Sequence, residues 1–329
     1  MTRQRHVPAL DPDAAALAEL RSRQRNAKTM RETGLDAVRA GLESLPHPQG
    51  MPAMESVTDH VISCDHGDLP VRVYSPVPGA VLPGIVYFHG GGMVMGSNHS
   101  FEPFARNIAA YTGHRVVAVD YHLAPEYPPP AQADDAYAAT EWTAKYAADL
   151  GIAPDRISVA GDSAGGTLAA LVALRARDHG GPRLLCQVLM YGGLDRDMAA
   201  ESMSQFAHAP GLSRDDVFYL HDLARAGQPG PATADEVPAY ADDLSGLPSA
   251  IIAVGELDPI RDWSERYARR LWEAGVQATV TRYPGVGHGF LMQMYHLARG
   301  RQALAEIAGV LRAKVAHPLP WQTADKSHE

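Results

Sequence analysis

Cysteine is nearly absent, with only Cys64 and Cys186 in 329 residues. Two thiols make no disulfide framework, and Cys186 sits in the apolar run 184–190, where cysteine serves as a small buried hydrophobe. Positive charge is also in short supply, with 29 Lys and Arg against 38 Asp and Glu for a net charge of −9. No electrostatic footprint for phosphate backbones or anionic lipid results, which excludes nucleic acid as an expected partner. No apolar run approaches the roughly 20 residues of a membrane span. Arg3 and Arg5 precede a stretch punctuated by Pro and Asp instead of an apolar block, so no signal peptide is visible. A cytoplasmic enzyme or binding protein is what these absences leave. The 46% hydrophobic and 20% charged residues suit a globular chain with a sizeable core. Its length fits one α/β domain carrying an insertion.

Residues 12–31 carry apolar positions on one face and charges on the other, a helix opened by Asp11-Pro12. Short β-like runs at 57–64 and 70–74 flank His66-Gly67-Asp68, a hairpin signal that predicts an antiparallel edge. From residue 85 the texture changes. Apolar strand-length runs recur at 85–88, 116–119, 157–160, 185–190, 250–254 and 278–283. Helical stretches fall at 101–112, 132–149, 165–179 and 262–274, and a last one at 296–315. Strands alternating with helices predict a mostly parallel sheet covered on both faces. The alternation breaks once, between Tyr191 and Ile251, where an insertion with one helical candidate at 213–226, capped by Ser213 and followed by Asp215 and Asp216, lies over the sheet's C-terminal edge. The last strand, 278–283, forms a sheet edge at which two copies could pair as a homodimer.

Gly161-Asp162-Ser163-Ala164-Gly165 follows the strand at 157–160 and opens a helix. A glycine-rich turn with an incidental serine is the bland reading of the pentapeptide alone. Its strand–turn–helix setting instead fits a nucleophile elbow with Ser163 exposed at its top. Directly after the strand at 85–88 stands His89-Gly90-Gly91-Gly92, whose glycines let backbone amides approach a substrate oxygen. Gly91 and Gly92, with Ala164 just after the serine, are the expected oxyanion donors. His89 and Gly90 are expected to organise the loop, and neither a dinucleotide nor a Walker fingerprint is present there. A serine nucleophile needs a base, and the base an orienting carboxylate. His288, in the glycine-flanked loop after the last strand, and Asp258, after the strand at 250–254, emerge at the same edge as Ser163. Glu256 and Asp262 compete with Asp258 for the acid role; Glu256 is closest to the strand end, and Asp262 falls in the first turn of the next helix.

Five motifs in order carry a resemblance: Tyr87-Phe88-His89-Gly90-Gly91-Gly92, the segment from Asp120-Tyr121-His122 to Ala124-Pro125-Glu126, the glycine-flanked serine, Gly255-Glu256-Leu257-Asp258-Pro259, and Tyr283-Pro284-Gly285 through His288-Gly289-Phe290. The chain resembles the hormone-sensitive-lipase-like, or bacterial family IV, carboxylesterases. The resemblance implies one α/β-hydrolase domain spanning 1–329, with a core of 46–198 and 241–317 and a helical cap of 1–45 and 199–240. It implies hydrolysis of carboxylic esters by Ser163, Asp258 and His288 with no cofactor and no metal, acting on small-molecule esters of short to medium acyl chains. Two departures touch the pocket: Met93-Val94-Met95 stands where many relatives carry an aromatic, and Gly192-Gly193 where bulkier residues are common. The segment from Asp120 to Glu126 reads as a rigid corner, and by resemblance as a buttress of the elbow and glycine loop. Hydrolysis of an amide, a lactone or an acetyl group, and a non-catalytic small-molecule receptor on the same scaffold, are the rival readings. A receptor is expected to lose a triad member, and none is missing here.

Overall fold

The computed structural model describes residues 8–24, 28–228 and 230–319. Eight strands build one sheet: β1 (Ser56–Cys64), β2 (Gly67–Ser75), β3 (Leu82–Phe88), β4 (Arg115–Val119), β5 (Ile152–Asp162), β6 (Cys186–Met190), β7 (Ser249–Gly255) and β8 (Ala278–Tyr283). Their order is β1-β2-β4-β3-β5-β6-β7-β8. Only β2 pairs antiparallel, to β1 on one side and β4 on the other; every other pairing is parallel. The expected antiparallel edge and parallel body are both present, and β8 closes the opposite edge, where the exposed Trp272 donates its indole N–H to the Ala278 carbonyl at 2.9 Å.

Alternation along the buried strands sends side chains to two cores. Val86, Phe88, Val117, Val159 and Ile252 face α5 (Ala131–Lys145), α6 (Ala164–Asp178) and α9 (Arg261–Glu273). Ile85, Tyr87, Val116, Val188 and Ile251 face α4 (Glu102–Thr112) and α10 (Ala298–Ala316). Cys186, wholly buried, joins the second core, and neither cysteine is bridged. Among the described residues no helix is long and apolar enough to cross a membrane.

The single helix expected over 12–31 is instead divided. α1 (Pro12–Gln24) ends, and α2 (Met30–Thr33) and α3 (Leu35–Glu43) start afresh. The physical reason is a capping box: the Thr29 hydroxyl accepts from the Glu32 amide at 3.2 Å, and the Glu32 carboxylate accepts from the Thr29 amide at 2.8 Å. Residues 25–27 lie outside the described residues. β5 starts five residues earlier than the apolar run alone indicates, and α5 stops at Lys145, short of the expected 149. The insertion contains α7 (Glu201–Gln205) and α8 (Arg214–Arg225), the latter opened by a second reciprocal box between Ser213 and Asp216. Met30, Leu35, Val38 and Leu42 of α2 and α3 pack with Leu220 and Leu223 of α8 around Val94, Met95 and Ala124. α1 and the two residues before it go elsewhere: Leu10, Ala14 and Leu17 join the core beside Phe290 and Leu297, and the Asp11 amide donates to the Gly285 carbonyl at 2.7 Å.

Candidate active site

Ser163 links β5 to α6 with φ 52° and ψ −120°, a left-handed conformation that a non-glycine residue holds only where its surroundings impose it. The neighbouring glycines show what imposes it. A Cβ at Gly161 would stand 2.0 Å from the Gly165 carbonyl oxygen, and one at Gly165 would stand 1.9 Å from that of Phe88. Strand, turn and helix therefore double back at van der Waals limits, and the Ser163 side chain is left at the C-terminal edge of the sheet. Its amide donates to the Met190 carbonyl of β6 at 2.8 Å, which pins the turn to the adjoining strand.

His288 Nε2 lies 2.8 Å from Ser163 Oγ, and His288 Nδ1 lies 2.8 Å from Asp258 Oδ2. Asp258 is 0% exposed and its other oxygen accepts from the Ile260 amide at 2.9 Å. The competing carboxylates are engaged elsewhere: Glu256 accepts from the Gly285 amide at 3.3 Å, and Asp262 from the Ser202 amide at 2.8 Å. Tyr191 presents its ring to His288 with centroids 5.1 Å apart, bracing the imidazole from β6's end.

The glycine loop after β3 turns through φ 109° at Gly91 and φ 65° at Gly92. Its Gly91 carbonyl accepts from the Val94 and Met95 amides, both at 3.1 Å. The amides of Gly91, Gly92 and Ala164 themselves donate to no acceptor among the described residues. Gly92 and Ala164 line a cavity with Ser163, so N–H groups without a partner there are free to donate to an oxygen of a bound molecule. His89 is 1% exposed, stacked on Tyr121 with centroids 4.3 Å apart. Its Nδ1 donates to the Gly90 carbonyl at 2.7 Å, and burial takes its pKa down to about 4. The imidazole is thus neutral and tied to the loop's own backbone.

Asp162, inside the motif but unassigned from sequence, joins elbow to loop. Its Oδ1 accepts from the Tyr87 hydroxyl at 2.6 Å and the Gly90 amide at 3.0 Å. Burial raises its pKa to about 6, against the lowering effect of those same hydrogen bonds. The Asp120–Glu126 corner also meets the loop: the Tyr121 hydroxyl donates to the His89 carbonyl at 2.8 Å, and the Ala124 amide to the Met93 carbonyl at 2.9 Å. Arg39 of α3 then reaches across, donating to the Val94 carbonyl at 2.6 Å, the Ala124 carbonyl at 2.8 Å and both Glu126 oxygens at 2.7 and 2.8 Å. No local pattern marks Arg39, whose partners lie 55 to 87 residues away.

Two cavities flank the site. One of about 70 Å³ is lined by Ser163, Gly92, Ala164 and Met93 below and by α8 above. The other, about 350 Å³, lies beside His288 between α1 and the 286–293 loop. Of the two methionine departures, Met93 lines the first cavity, while Met95 packs among buried apolar residues. A Cβ at Gly192 would press on the Leu194 side chain, and it is Gly166 that lets α6 come close, since a Cβ there would stand 2.9 Å from the Gly192 Cα. Among the described residues no group of three or more His, Cys, Asp or Glu could hold a metal ion.

Residues 85–292 match the family model described as the alpha/beta hydrolase fold. The chain is 40% identical over 269 residues to a carboxylesterase of Mycobacterium tuberculosis, covering 78% of this chain and 82% of that protein. It is 35% identical over 242 residues to an arylesterase of Saccharolobus solfataricus, covering 71% and 76%. A solved hyperthermophilic esterase from Pyrobaculum calidifontis superposes with a TM-score of 0.84 at 34% identity, over 93% of this chain and 98% of that one. With these likenesses added to the sheet and its serine elbow, the chain belongs to the hormone-sensitive-lipase-like carboxylesterases of the α/β-hydrolase fold, and it is a carboxylic ester hydrolase.

Proposed function

We propose that the chain hydrolyses short- to medium-chain acyl esters through an acyl-enzyme on Ser163. The observation that carries this reading is the unbroken relay of two 2.8 Å contacts from Ser163 through His288 to the buried Asp258. Ser163 Oγ attacks the ester carbonyl while His288 Nε2 takes its proton. Asp258 holds the Nδ1–H tautomer and stabilises the imidazolium that forms. The amides of Gly91, Gly92 and Ala164 take the oxyanion; each such donor typically contributes about 10²–10³ to turnover. His288 returns the proton to the departing alcohol, then activates the water that frees the acid.

Segments 1–45 and 199–240 act as the cap over this machinery in the same reading. Its supports are α8, which forms the ceiling of the smaller cavity, and α1, which walls the larger one. Access, and so acyl length, is then set by side chains of the cap and not by the sheet.

The test is Ser163→Ala, expected to lower turnover by about 10⁶ and to abolish labelling by a serine-directed phosphonate, with far-UV circular dichroism retained. Stoichiometric labelling of the variant would overturn the assignment.

A further inference from the structure

Arg196, on the loop after β6, lines the smaller cavity with Ser163, Gly92 and Ala164. It is the only permanently charged side chain in that lining among the described residues; the rest is chiefly apolar, with Val217, Leu220, Ile260 and Trp263 prominent. Its guanidinium makes no hydrogen bond and no ion pair with any described residue. The acids nearest it in sequence are committed. Asp195 and Asp197, its neighbours in sequence, both face Arg266, at 3.4 and 2.6 Å. Glu236 lies 3.8 Å from Arg225, so two guanidiniums share one carboxylate. Burial is the largest influence on Arg196 and holds its pKa below the usual guanidinium value, with Glu236 acting in the opposite sense. His221, stacked on Trp263 in the same wall, offers no second cation: burial first and Arg196 second take its pKa down to about 3.

A half-buried guanidinium with no hydrogen bond in a chiefly apolar wall is left for an incoming anion to pair. We infer that Arg196 binds a carboxylate on the acyl part of the substrate, which makes half-esters of short dicarboxylic acids the favoured substrate class. The acyl side follows from the mechanism, on which this inference rests. The leaving oxygen must reach His288 Nε2, so the alcohol extends toward the cavity beside His288. The cavity that Ser163, Gly92 and Ala164 line, and His288 does not, receives the acyl chain. Hydrolysis consumes one water and yields the free alcohol and the diacid.

The test uses the whole chain and the ethyl half-esters of malonic, succinic and glutaric acids, each beside a neutral ethyl ester of the same shape, such as ethyl 4-methylpentanoate for the succinate. The readout is the ratio of kcat/KM within each pair, which is insensitive to the folded fraction of a preparation. Wild type should prefer at least one half-ester by about tenfold or more, the range of a charge-assisted hydrogen bond. Arg196→Met should lower that ratio about tenfold, Arg196→Lys should retain most of it, and added salt should raise KM for the half-ester alone. Wild type using no half-ester, showing no preference in any pair, or an equal ratio in Arg196→Met would overturn the inference. Ser163→Ala separates this failure from that of the serine mechanism: neutral-ester hydrolysis surviving in Ser163→Ala sinks the mechanism, whereas hydrolysis that needs Ser163 but shows no charge preference sinks the Arg196 assignment alone.

Discussion

The sheet edge under the site and the helices above it are built on different terms. Below, backbone approaches backbone: Gly165 leaves no space for a methyl group against the Phe88 carbonyl, and Ser163 is held in a left-handed conformation by the strands beside it. Above, α2, α3 and α8 meet through interchangeable aliphatic side chains and one arginine that reaches down. The lower layer has a single workable geometry. The upper layer is held by side-chain packing, which tolerates exchange of one aliphatic group for another of similar volume.

The difference can be pressed hardest at the carboxylates below. Asp258→Asn should lower kcat by about 10⁴ in steady-state assays, because the amide no longer enforces the imidazole tautomer, while Glu256→Gln, which touches only the Gly285 amide, should change it little. The reverse ranking would move the acid role to Glu256. Next in size comes Gly165→Ala, expected to cost more than about 3 kcal/mol in urea denaturation or to prevent folding, since the added methyl meets main chain and not a yielding side chain. An active, stable Gly165→Ala protein would mean that the elbow can shift, erasing the contrast between the layers.

Arg39→Ala probes the upper layer's main polar tie. Loss of its bonds to Val94, Ala124 and Glu126 should cost about 1–3 kcal/mol, read as a fall in Tm. Activity should fall much less than in Asp258→Asn. Stability equal to wild type would show that the aliphatic contacts alone hold α3 in place. The smallest effect is a pH dependence at Asp162. Its pKa, raised by burial from an ordinary 3.8 to about 6, means that the folded chain binds this proton more tightly than the unfolded one. Its contribution to stability is therefore full below about pH 4, declines as pH rises toward about 6, and is level above. Between pH 4 and 7, Asp162→Asn should gain on wild type by on the order of 1–2 kcal/mol in chemical denaturation. A constant gap across that range would place the raised pKa elsewhere.

The same contrast explains what could be read from sequence. Ser163, His89 to Gly92 and His288 declare themselves because sharp turns at strand ends demand glycine at fixed spacing, a demand written in adjacent letters. Choosing Asp258 over Glu256 needed more, since both follow β7 within three residues; only the fold shows that one meets His288 and the other Gly285. The apolar period of 12–31 runs on as if for one helix, while Thr29 and Glu32 cap a new start. Arg39 and Arg196 carry no local signature at all. One is defined by carbonyls far along the chain, the other by the turning of its neighbours Asp195 and Asp197 toward Arg266.

The tether between α1 and the His288 loop also has a bearing on the order of assembly. Asp11 meets Gly285 and, at 3.0 Å, the Arg299 guanidinium 288 positions later, and Asp13 caps the start of α10 at 2.8 Å. The first helix leaves the ribosome long before its partners exist, so its apolar face has nothing to dock on until nearly all of the chain has been made. Contacts of such sequence separation are slow to close. The wall of the larger cavity is thus among the last parts of the molecule to be completed, and a chain interrupted near residue 285 lacks both His288 and the helix on which α1 docks.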